Sequence, residues 1–289
     1  LESPVMNFHQ RSGEKGNARM KTTMQDRYGL PAQFADQLIV SQIAQADAVR
    51  LGVEHWRRHR HARQCMGALY WQLNDNWPVA SWASIDYHGR WKALHYAARE
   101  FFAPLLISPH VEDGCVTVTL VNDTFAAVRG SVRWTVRTYA GRIVNTGTVR
   151  GVVAGGDSAR VMRMPLDELL KGCDPSACYV LCDWRGKQQA ARRVLHLSSL
   201  ATAQLCDPAL TIERDGSVLR VRAKRFAAHV CVACDDARLQ PSDNFFDLLP
   251  RETLALRLLP VRAALDDEQI AVAAVHVRSI WEMCRTHDA

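Results

Sequence analysis

The chain has 289 residues, of which 48% are hydrophobic and 23% charged, and its formal net charge at pH 7 is +6. These proportions are typical of a globular protein and exclude collagen, coiled coils and long disordered segments. No run reaches the roughly 18–20 uncharged apolar residues of a membrane span, and at about 100–200 residues per domain we expect two or three domains.

The first hundred residues predict one helix before and one helix after a single buried strand. Apolar residues at helical spacing indicate a long helix over 31–60, with a Pro at its start. The run 67–73 is largely apolar between polar loops, as in a strand of a parallel sheet that is buried on both faces. A loop rich in Asn, Asp, Trp and Pro follows over 74–86, and a second amphipathic helix over 91–102 ends before Pro104.

The pattern changes after Pro104. Short segments alternate apolar and polar residues at period two, with Gly or Asn turns between them, which predicts an antiparallel sandwich. Its strands are predicted over 116–121, 128–138, 142–152, 159–164, 179–183 and 190–197, with a short helix over 166–171.

A third block begins near residue 205. Residues 211–222 read as a hairpin with an Asp-Gly turn. Further strands are predicted over 228–233, 253–259 and 270–278, so this block predicts a second sandwich.

The nine cysteines give no metal-site pattern. Nine is odd, so at least one cysteine is unpaired within the chain, and their spacing shows no regular disulfide framework. Cys231 and Cys234 lie three residues apart on a predicted strand, so their side chains point to opposite faces and do not converge on one ion. We predict buried thiols there, and neither a metal nor a cofactor for the chain.

A basic cluster over 55–63 follows the long predicted helix. Such a cluster can contact phosphate, but cations also interact favourably with the C-terminal end of a helix dipole. We therefore expect a solvated helix end and no nucleic-acid partner.

One segment carries a specific resemblance. The run Met66-Gly-Ala-Leu-Tyr-Trp-Gln-Leu-Asn-Asp-Asn-Trp-Pro-Val-Ala-Ser-Trp-Ala-Ser-Ile-Asp-Tyr87 resembles the last barrel strand and following loop of retaining exo-β-mannosidases of glycoside hydrolase family two. Residues 3–10, with Gly16 and Asn17, are similar to the loop after the seventh barrel strand, and residues 242–250 to a signature of the terminal sandwich domain.

The resemblance implies a multidomain fold that combines α/β and all-β parts. Residues 1–104 would be the C-terminal part of a (β/α)₈ catalytic barrel, comprising its last strand and flanking helices. Two Ig-like antiparallel β-sandwiches would follow, over 105–200 and 201–289. One strand cannot close an eight-stranded barrel, so we expect the chain to be the C-terminal third of a larger enzyme and to need the rest of that enzyme as its partner.

The catalytic residues are expected outside this chain. Retaining glycoside hydrolysis uses two carboxylates, and the resemblance places both, as Glu, at the ends of barrel strands four and seven. No Glu of this chain matches either motif, so we assign no catalytic residue and expect the chain alone to be inactive.

Five residues are candidates for binding substrate. The resemblance places Trp71 on the floor of the sugar subsite, where an indole stacks on the C–H face of the ring, and implies a cis peptide bond between Trp71 and Gln72 in the intact enzyme. Asn74 and Asp75 could bond sugar hydroxyls or simply form turns, and Trp77 could line an outer subsite or pack. His9 is a further candidate on the loop after strand seven.

The expected function is removal of terminal non-reducing β-linked mannose without a metal. An exo-β-glucosaminidase or another family-two β-glycosidase is the alternative with the same mechanism. A non-catalytic β-sandwich module that binds carbohydrate or protein is the alternative from a different class. The resemblance suggests a periplasmic or secreted protein, although the chain itself carries no address.

Overall fold

The computed structural model describes residues 1–187, 190–261, 265 and 267–285. Helices and strands divide in the way the sequence predicts, with helices in the first hundred residues and mostly strands thereafter. The helices are α1 (Pro4–Phe8), α2 (Gly16–Arg27), α3 (Phe34–Arg58), α4 (Ala93–Phe101), α5 (Leu166–Leu170), α6 (Asp267–Val272) and α7 (Ile280–Cys284).

Strands begin directly after α4. They are β1 (Leu105–Glu112), β2 (Cys115–Asn122), β3 (Val128–Thr138), β4 (Ile143–Val153), β5 (Asp157–Pro165), β6 (Cys178–Gly186), β7 (Ala190–His196), β8 (Thr211–Asp215), β9 (Val218–Arg222), β10 (Ala227–Cys234), β11 (Leu239–Pro241), β12 (Phe246–Leu248), β13 (Thr253–Pro260) and β14 (Val275–Arg278). The chain forms two compact units: the first unit comprises residues 1–47, 70–97 and those from 205 onward, and the second unit comprises residues 48–69 and 98–204.

The second unit is an antiparallel sandwich. One sheet has the strand order β1-β2-β5 and the other β4-β3-β6-β7. Alternate residues of both sheets point inward, so that Val118 and Leu120 of β2 share a core with Trp134 of β3 and Trp184 of β6. This burial of alternating apolar residues is what holds the two sheets together.

A glycine is required where β3 meets β6. Gly130 lies opposite Gly186 in the ladder. A Cβ atom at Gly130 would lie 2.7 Å from Cζ2 of Trp184 and would overlap the carbonyl oxygen of Arg185. The ring of Trp184 can therefore fill the core only because position 130 has no side chain.

The last turns of α3 belong to the second unit and are tied to it by arginine. Arg57 is buried, and its guanidinium donates to the carbonyl oxygens of Phe101 and Ala103 and to the carboxylate of Asp123, the last two bonds being 2.9 Å. The predicted solvated helix end is therefore wrong for Arg57, although His55 and His59 are exposed as expected. A planar group with five donors suits this cluster of oxygen acceptors.

Glu54 is the buried carboxylate of the same helix end. Its Oε2 accepts a 2.7 Å hydrogen bond from Ser108. Burial raises the pKa of Glu54, and the nearby Arg50 and Ser108 only partly oppose this shift.

The first unit contains the other sandwich. Its sheets have the strand orders β12-β10-β14 and β11-β13-β9-β8. The predicted Asp-Gly hairpin is present between β8 and β9, where Gly216 has φ +57, a backbone conformation that glycine adopts without a Cβ penalty. Val221 and Leu256 on one sheet and Val230 on the other share the core.

The segment 242–250 completes the hydrogen bonding of β10. Asn244 is buried, and its side chain accepts a 2.8 Å hydrogen bond from the N–H of Val232 and donates to the carbonyl of Val232 at 3.0 Å. Asp247 accepts from the backbone N–H of His229. Asn244 and Asp247 therefore have a structural role in this sandwich.

Both predicted sandwiches are confirmed, but some predicted elements are not. The run 67–73 was expected to be a strand, and among the described residues it forms no ladder. The strand predicted over 270–278 is a helix followed by β14, and β1 was not predicted at all, because Pro109 interrupts its pattern. Within the described residues, no helix is long and apolar enough to cross a membrane.

Candidate functional site

The loop that begins at Trp71 is fixed by backbone hydrogen bonds to itself. The peptide bond between Trp71 and Gln72 is cis, as the resemblance implies. Asn74 lies parallel to Ile85 in an isolated bridge: the N–H of Ile85 donates to the carbonyl of Leu73 at 2.8 Å, and the N–H of Asp75 donates to the carbonyl of Ile85 at 3.1 Å. The two ends of the loop are thereby held side by side.

Asp75 lies at the centre of this loop, with its side chain only 2% exposed. One carboxylate oxygen accepts a 2.6 Å hydrogen bond from the hydroxyl of Ser81, and the other forms a 2.8 Å ion pair with Lys92. Asp75 therefore joins the start, the middle and the end of the loop. Both of its oxygens already have partners within the chain, which favours the structural alternative for this residue.

An aromatic cluster forms the outer part of the loop. The rings of His9 and Trp77 lie with their centroids 5.0 Å apart and an interplanar angle of 30°. Nδ1 of His9 donates to the carbonyl oxygen of Pro78. The guanidinium of Arg11 lies 5.8 Å from the centroid of the Trp77 ring, within the range of a cation–π interaction.

The segment that carries His9 is joined to the loop by main-chain bonds. The N–H of Ala80 donates to the carbonyl of His9 at 3.0 Å, and the N–H of Arg11 donates to the carbonyl of Ala80 at 3.0 Å. Behind this bridge, Gln10 is buried and donates to Asn17 Oδ1 at 2.7 Å. Two segments that are some seventy residues apart in the sequence thus form one surface.

A cavity of about 370 Å³ opens beside this surface, a volume within the usual range for small-ligand sites. The predicted residues Asn74, Asp75 and Trp77 line it. The complete lining is Arg11, Gln72, Leu73, Asn74, Asp75, Asn76, Trp77, Val79, Ser81 and Trp82. Amide, hydroxyl and indole groups are the groups that bind a polyhydroxylated ring, through hydrogen bonds to its oxygens and stacking on its C–H face.

Trp71 lies outside this lining, with 73% of its surface exposed. Leu69 and Leu73, on the same run, are 93% and 57% exposed. Several large apolar side chains exposed along one short run are typical of a surface that binds another protein segment or a ligand.

Among the described residues, the lining of this cavity supplies a single carboxylate. A retaining hydrolase needs two carboxylates about 5–5.5 Å apart. Asp75 is the one carboxylate among the lining residues of the described cavity, and Lys92 pairs with it. The described part of the chain also contains no group of three or more His, Cys, Asp or Glu side chains that could hold a metal ion.

Sequence reasoning missed three residues of the site. Ser81 and Lys92 bind Asp75, and Arg11 covers Trp77. Ser81 lies within the quoted run 66–87 but carries no signal of its own there, whereas Arg11 and Lys92 lie outside that run, and each of the three meets its partner only through the path of the loop. The one available signal was that a buried Asp requires a cation or several donors nearby.

Two family models match the chain. Residues 114–200 match a model described as "Mannosidase Ig/CBM-like domain". Residues 203–283 match a model described as "Ig-fold domain", whose name refers to mannosidases. The first match spans β2–β7 and the second spans β8–β14.

Curated relatives include β-mannosidases of mammals. The chain is 35% identical to the β-mannosidase of Mus musculus over 193 residues, which cover 60% of the chain and 22% of the relative. It is 34% identical to the β-mannosidase of Capra hircus over 179 residues, 57% of the chain and 20% of the relative. The chain therefore spans about a fifth of the length of these relatives.

Solved structures share the fold. A β-D-mannosidase from Dictyoglomus thermophilum superposes with a TM-score of 0.80 at 20% identity, covering 96% of this chain and 34% of that one. An exo-chitosanase from Amycolatopsis orientalis gives a TM-score of 0.71 at 19% identity, covering 94% of this chain and 37% of that one. At these identities the likeness is one of fold.

Proposed function

Because the chain matches two mannosidase domain models and is 35% identical to a β-mannosidase over part of its length, we propose that it belongs to the β-mannosidase family and is the C-terminal part of a glycoside hydrolase that removes terminal non-reducing β-D-mannose. The reaction is a retaining double displacement, in which one carboxylate attacks the sugar and water then releases it. Both carboxylates come from glutamates of the parent protein that precede this chain. This chain contributes sugar-binding side chains and two sandwiches.

The observation that carries the proposal is the exposed indole of Trp71, which directly precedes Gln72 in a cavity wall that Trp77 and Trp82 also form. A flat apolar surface beside amide and hydroxyl groups suits a sugar, whose faces are apolar and whose edge is polar. The exposed Leu69 and Leu73 support a second part of the proposal, in which the remaining barrel strands of the parent enzyme cover this run.

The five candidate residues have different proposed roles. Trp71 stacks on the sugar in the subsite where cleavage occurs, and Asn74, which is exposed, hydrogen-bonds its hydroxyls. Trp77 and His9 form a wall further out. Asp75 acts as a positioning residue, because it holds the loop through Ser81 and Lys92 and its side chain is almost fully buried.

An exo-β-glucosaminidase is the second candidate. It is favoured by the fold match to an exo-chitosanase, which is nearly as extensive as the match to the bacterial mannosidase. The two substrates differ at carbon 2 of the sugar, so assays with both distinguish the candidates.

The test uses the protein encoded by the complete gene. Its kcat/KM is measured on p-nitrophenyl β-D-mannoside and on the corresponding β-D-glucosaminide, and the mannoside is expected to be the better substrate. Trp71→Ala is expected to lower kcat/KM on the mannoside about tenfold or more, since each 1.36 kcal/mol of lost transition-state binding is a factor of ten.

Phe125→Ala is the matched control, because Phe125 is an aromatic residue that is fully exposed on the second unit. Its kcat/KM should equal that of the wild type. A better rate on the glucosaminide would replace the proposal with the second candidate. Hydrolysis of neither glycoside would contradict both and leave a non-catalytic binding module.

A further inference from the structure

Two cysteines of the second unit lie closer together than thiols in ordinary contact. Sγ of Cys173 and Sγ of Cys178 are 2.6 Å apart. Carbon atoms in optimal van der Waals contact are about 3.5–4.0 Å apart, and sulfur is larger than carbon. Both residues are thiols in this structure.

We propose that Cys173 and Cys178 form a disulfide bond that closes the turn between α5 and β6. Cys173 follows α5, and Cys178 is the first residue of β6. The loop to be closed spans only these six residues, so the bond fixes a local turn rather than joining distant parts of the chain.

The turn is held in place by hydrogen bonds that do not involve the thiols. The carboxylate of Asp174 accepts from the N–H of Ser176 at 2.9 Å and from its hydroxyl at 2.8 Å. The amide side chain of Gln204 also donates to Asp174, at 3.0 Å. The N–H of Ala177 donates to the carbonyl of Asp174 at 3.0 Å, closing a short 3₁₀ turn that starts at Pro175.

This turn is attached to the sandwich on two sides. The N–H of Tyr139 donates to the carbonyl of Ala177 at 3.0 Å, and the N–H of Gln204 donates to the carbonyl of Ser176 at 2.7 Å. The N–H of Cys173 donates to the carbonyl of Leu170 at 2.9 Å, which fixes the other end of the turn. The two sulfurs are therefore brought together by the fold itself, and bond formation requires little further movement.

The two thiols differ in access to an oxidant. Cys178 is fully buried, whereas Cys173 is partly exposed and packs on the edge of the core. Burial is the main cause that raises the pKa of Cys178 to about 12, and the neighbouring Cys173 contributes to the same shift. An external disulfide therefore reacts with Cys173, since thiolates attack and accessible sulfurs are attacked.

The reaction balances with a disulfide oxidant such as oxidised glutathione. The Cys173 thiolate attacks one sulfur of the oxidant, forming a mixed disulfide and releasing one glutathione thiolate. That thiolate takes the proton of Cys178, whose sulfur attacks the sulfur of Cys173 and releases the second glutathione. Overall, two protein thiols are oxidised to one disulfide, and one glutathione disulfide is reduced to two glutathione molecules.

The test is a thiol count on the 289-residue chain after equilibration with oxidised glutathione and removal of the reagent. Titration in denaturant with a chromogenic aryl disulfide is expected to find seven of the nine thiols, a loss of two. Reduction with dithiothreitol should restore all nine. Nine thiols after the oxidising treatment would overturn the proposal.

Peptide mapping identifies the pair. Trypsin cuts after Lys171 and Arg185, so Cys173, Cys178 and Cys182 fall on one peptide. With iodoacetamide under non-reducing conditions, that peptide should carry one alkyl group at Cys182 and a mass lower by two hydrogens. Three alkyl groups would contradict the proposal.

Cys182 is the matched control, since it lies on the same strand, is equally buried, and burial also raises its pKa to about 12. In Cys182→Ser, oxidation should still remove two thiols. In Cys173→Ser and in Cys178→Ser, oxidation should remove none by this route. If Cys173→Ser still loses two thiols, a different pair forms and the proposal is wrong.

Discussion

Replacing Asp75 by alanine tests whether this residue holds the loop 71–92. The change removes the acceptor of the Ser81 hydroxyl and the partner of Lys92 in one step. Lys92 is itself largely buried, with 11% of its side chain exposed, so its ammonium group loses its counterion in a place with little access to water.

The magnitude follows from the burial of the pair. Breaking a buried ion pair by removing one partner costs about 3–5 kcal/mol, because an uncompensated charge remains. The lost charge-assisted hydrogen bond from the Ser81 hydroxyl adds about 1.5 kcal/mol, and rotation of the Lys92 side chain toward solvent returns part of the total. We expect Asp75→Ala to lower the free energy of unfolding of the first unit by about 3–4 kcal/mol.

A double-mutant cycle distinguishes this pair from a merely local defect. Lys92→Met alone leaves the Asp75 carboxylate buried without its cation and should also be costly. The double variant Asp75→Ala, Lys92→Met contains neither charge, so its loss should be much smaller than the sum of the two single losses, with a coupling of about 1–3 kcal/mol.

The assay is urea unfolding of the 289-residue chain, followed by hydrogen exchange and mass spectrometry of peptides from each unit. Peptide-resolved exchange is needed because two units need not unfold together. Asp236→Ala is the matched control: Asp236 pairs with Arg238 at 2.7 Å in the same unit, but at the surface, and should give a much smaller effect.

Two results would refute the reasoning. One is a loss for Asp75→Ala no larger than that for Asp236→Ala. The other is a double variant whose loss equals the sum of the singles, since additive losses mean that Asp75 and Lys92 do not stabilise each other.

Three further predictions concern the second unit. Burial raises the pKa of Glu54, so between the unfolded and the folded pKa the folded state binds a proton that the unfolded state has lost. As the pH rises through that window, the free energy of unfolding of the wild type should fall relative to that of Glu54→Gln. A difference in urea unfolding that does not change with pH would contradict this. Arg57→Met removes the donor of two carbonyls and leaves Asp123 with Arg60 as its ion-pair partner, and it should cost about 2–4 kcal/mol in urea unfolding. Arg129→Met at an exposed position should cost almost nothing, and equal losses would contradict the anchoring role. Gly130→Ala should lower the free energy of unfolding by about 1–3 kcal/mol, because the new Cβ overlaps the core. Gly67→Ala is the control and should change nothing, because its Cβ would meet open space. Equal midpoints of thermal unfolding for the two variants would contradict this.

The repeating pattern of side chains predicted most of the strands. Period-two alternation placed β3 at its observed bounds and β2, β4 and β6 within a few residues, because a strand with one face in the core shows its burial directly in its sequence. The exceptions have local causes. β1 contains Pro109, which an edge strand tolerates but which does not fit the sequence pattern of a strand. β11 and β12 have three residues each, too few for a repeating pattern to be visible.

The run 67–73 shows the limit of pattern reasoning for an element that depends on others. Its apolar composition predicted a buried strand, yet in this chain Leu69 and Trp71 are exposed and the run has no ladder within the described residues. A helix satisfies its backbone groups by itself, whereas a strand needs a neighbouring strand, and its own sequence cannot supply one.

By itself, the sequence determined the two sandwiches, the helices α3 and α4 before them, and the polar, Trp-containing loop over 74–86, but it did not reveal α1 or α2. Those features follow from local spacing and from side-chain chemistry that is visible along the chain. Tertiary structure alone decided which residue meets which: Asp75 with Lys92, His9 with Trp77, and Arg57 with the carbonyls after α4. Such contacts join residues that are far apart along the chain, and a period of two or 3.6 carries no information about them.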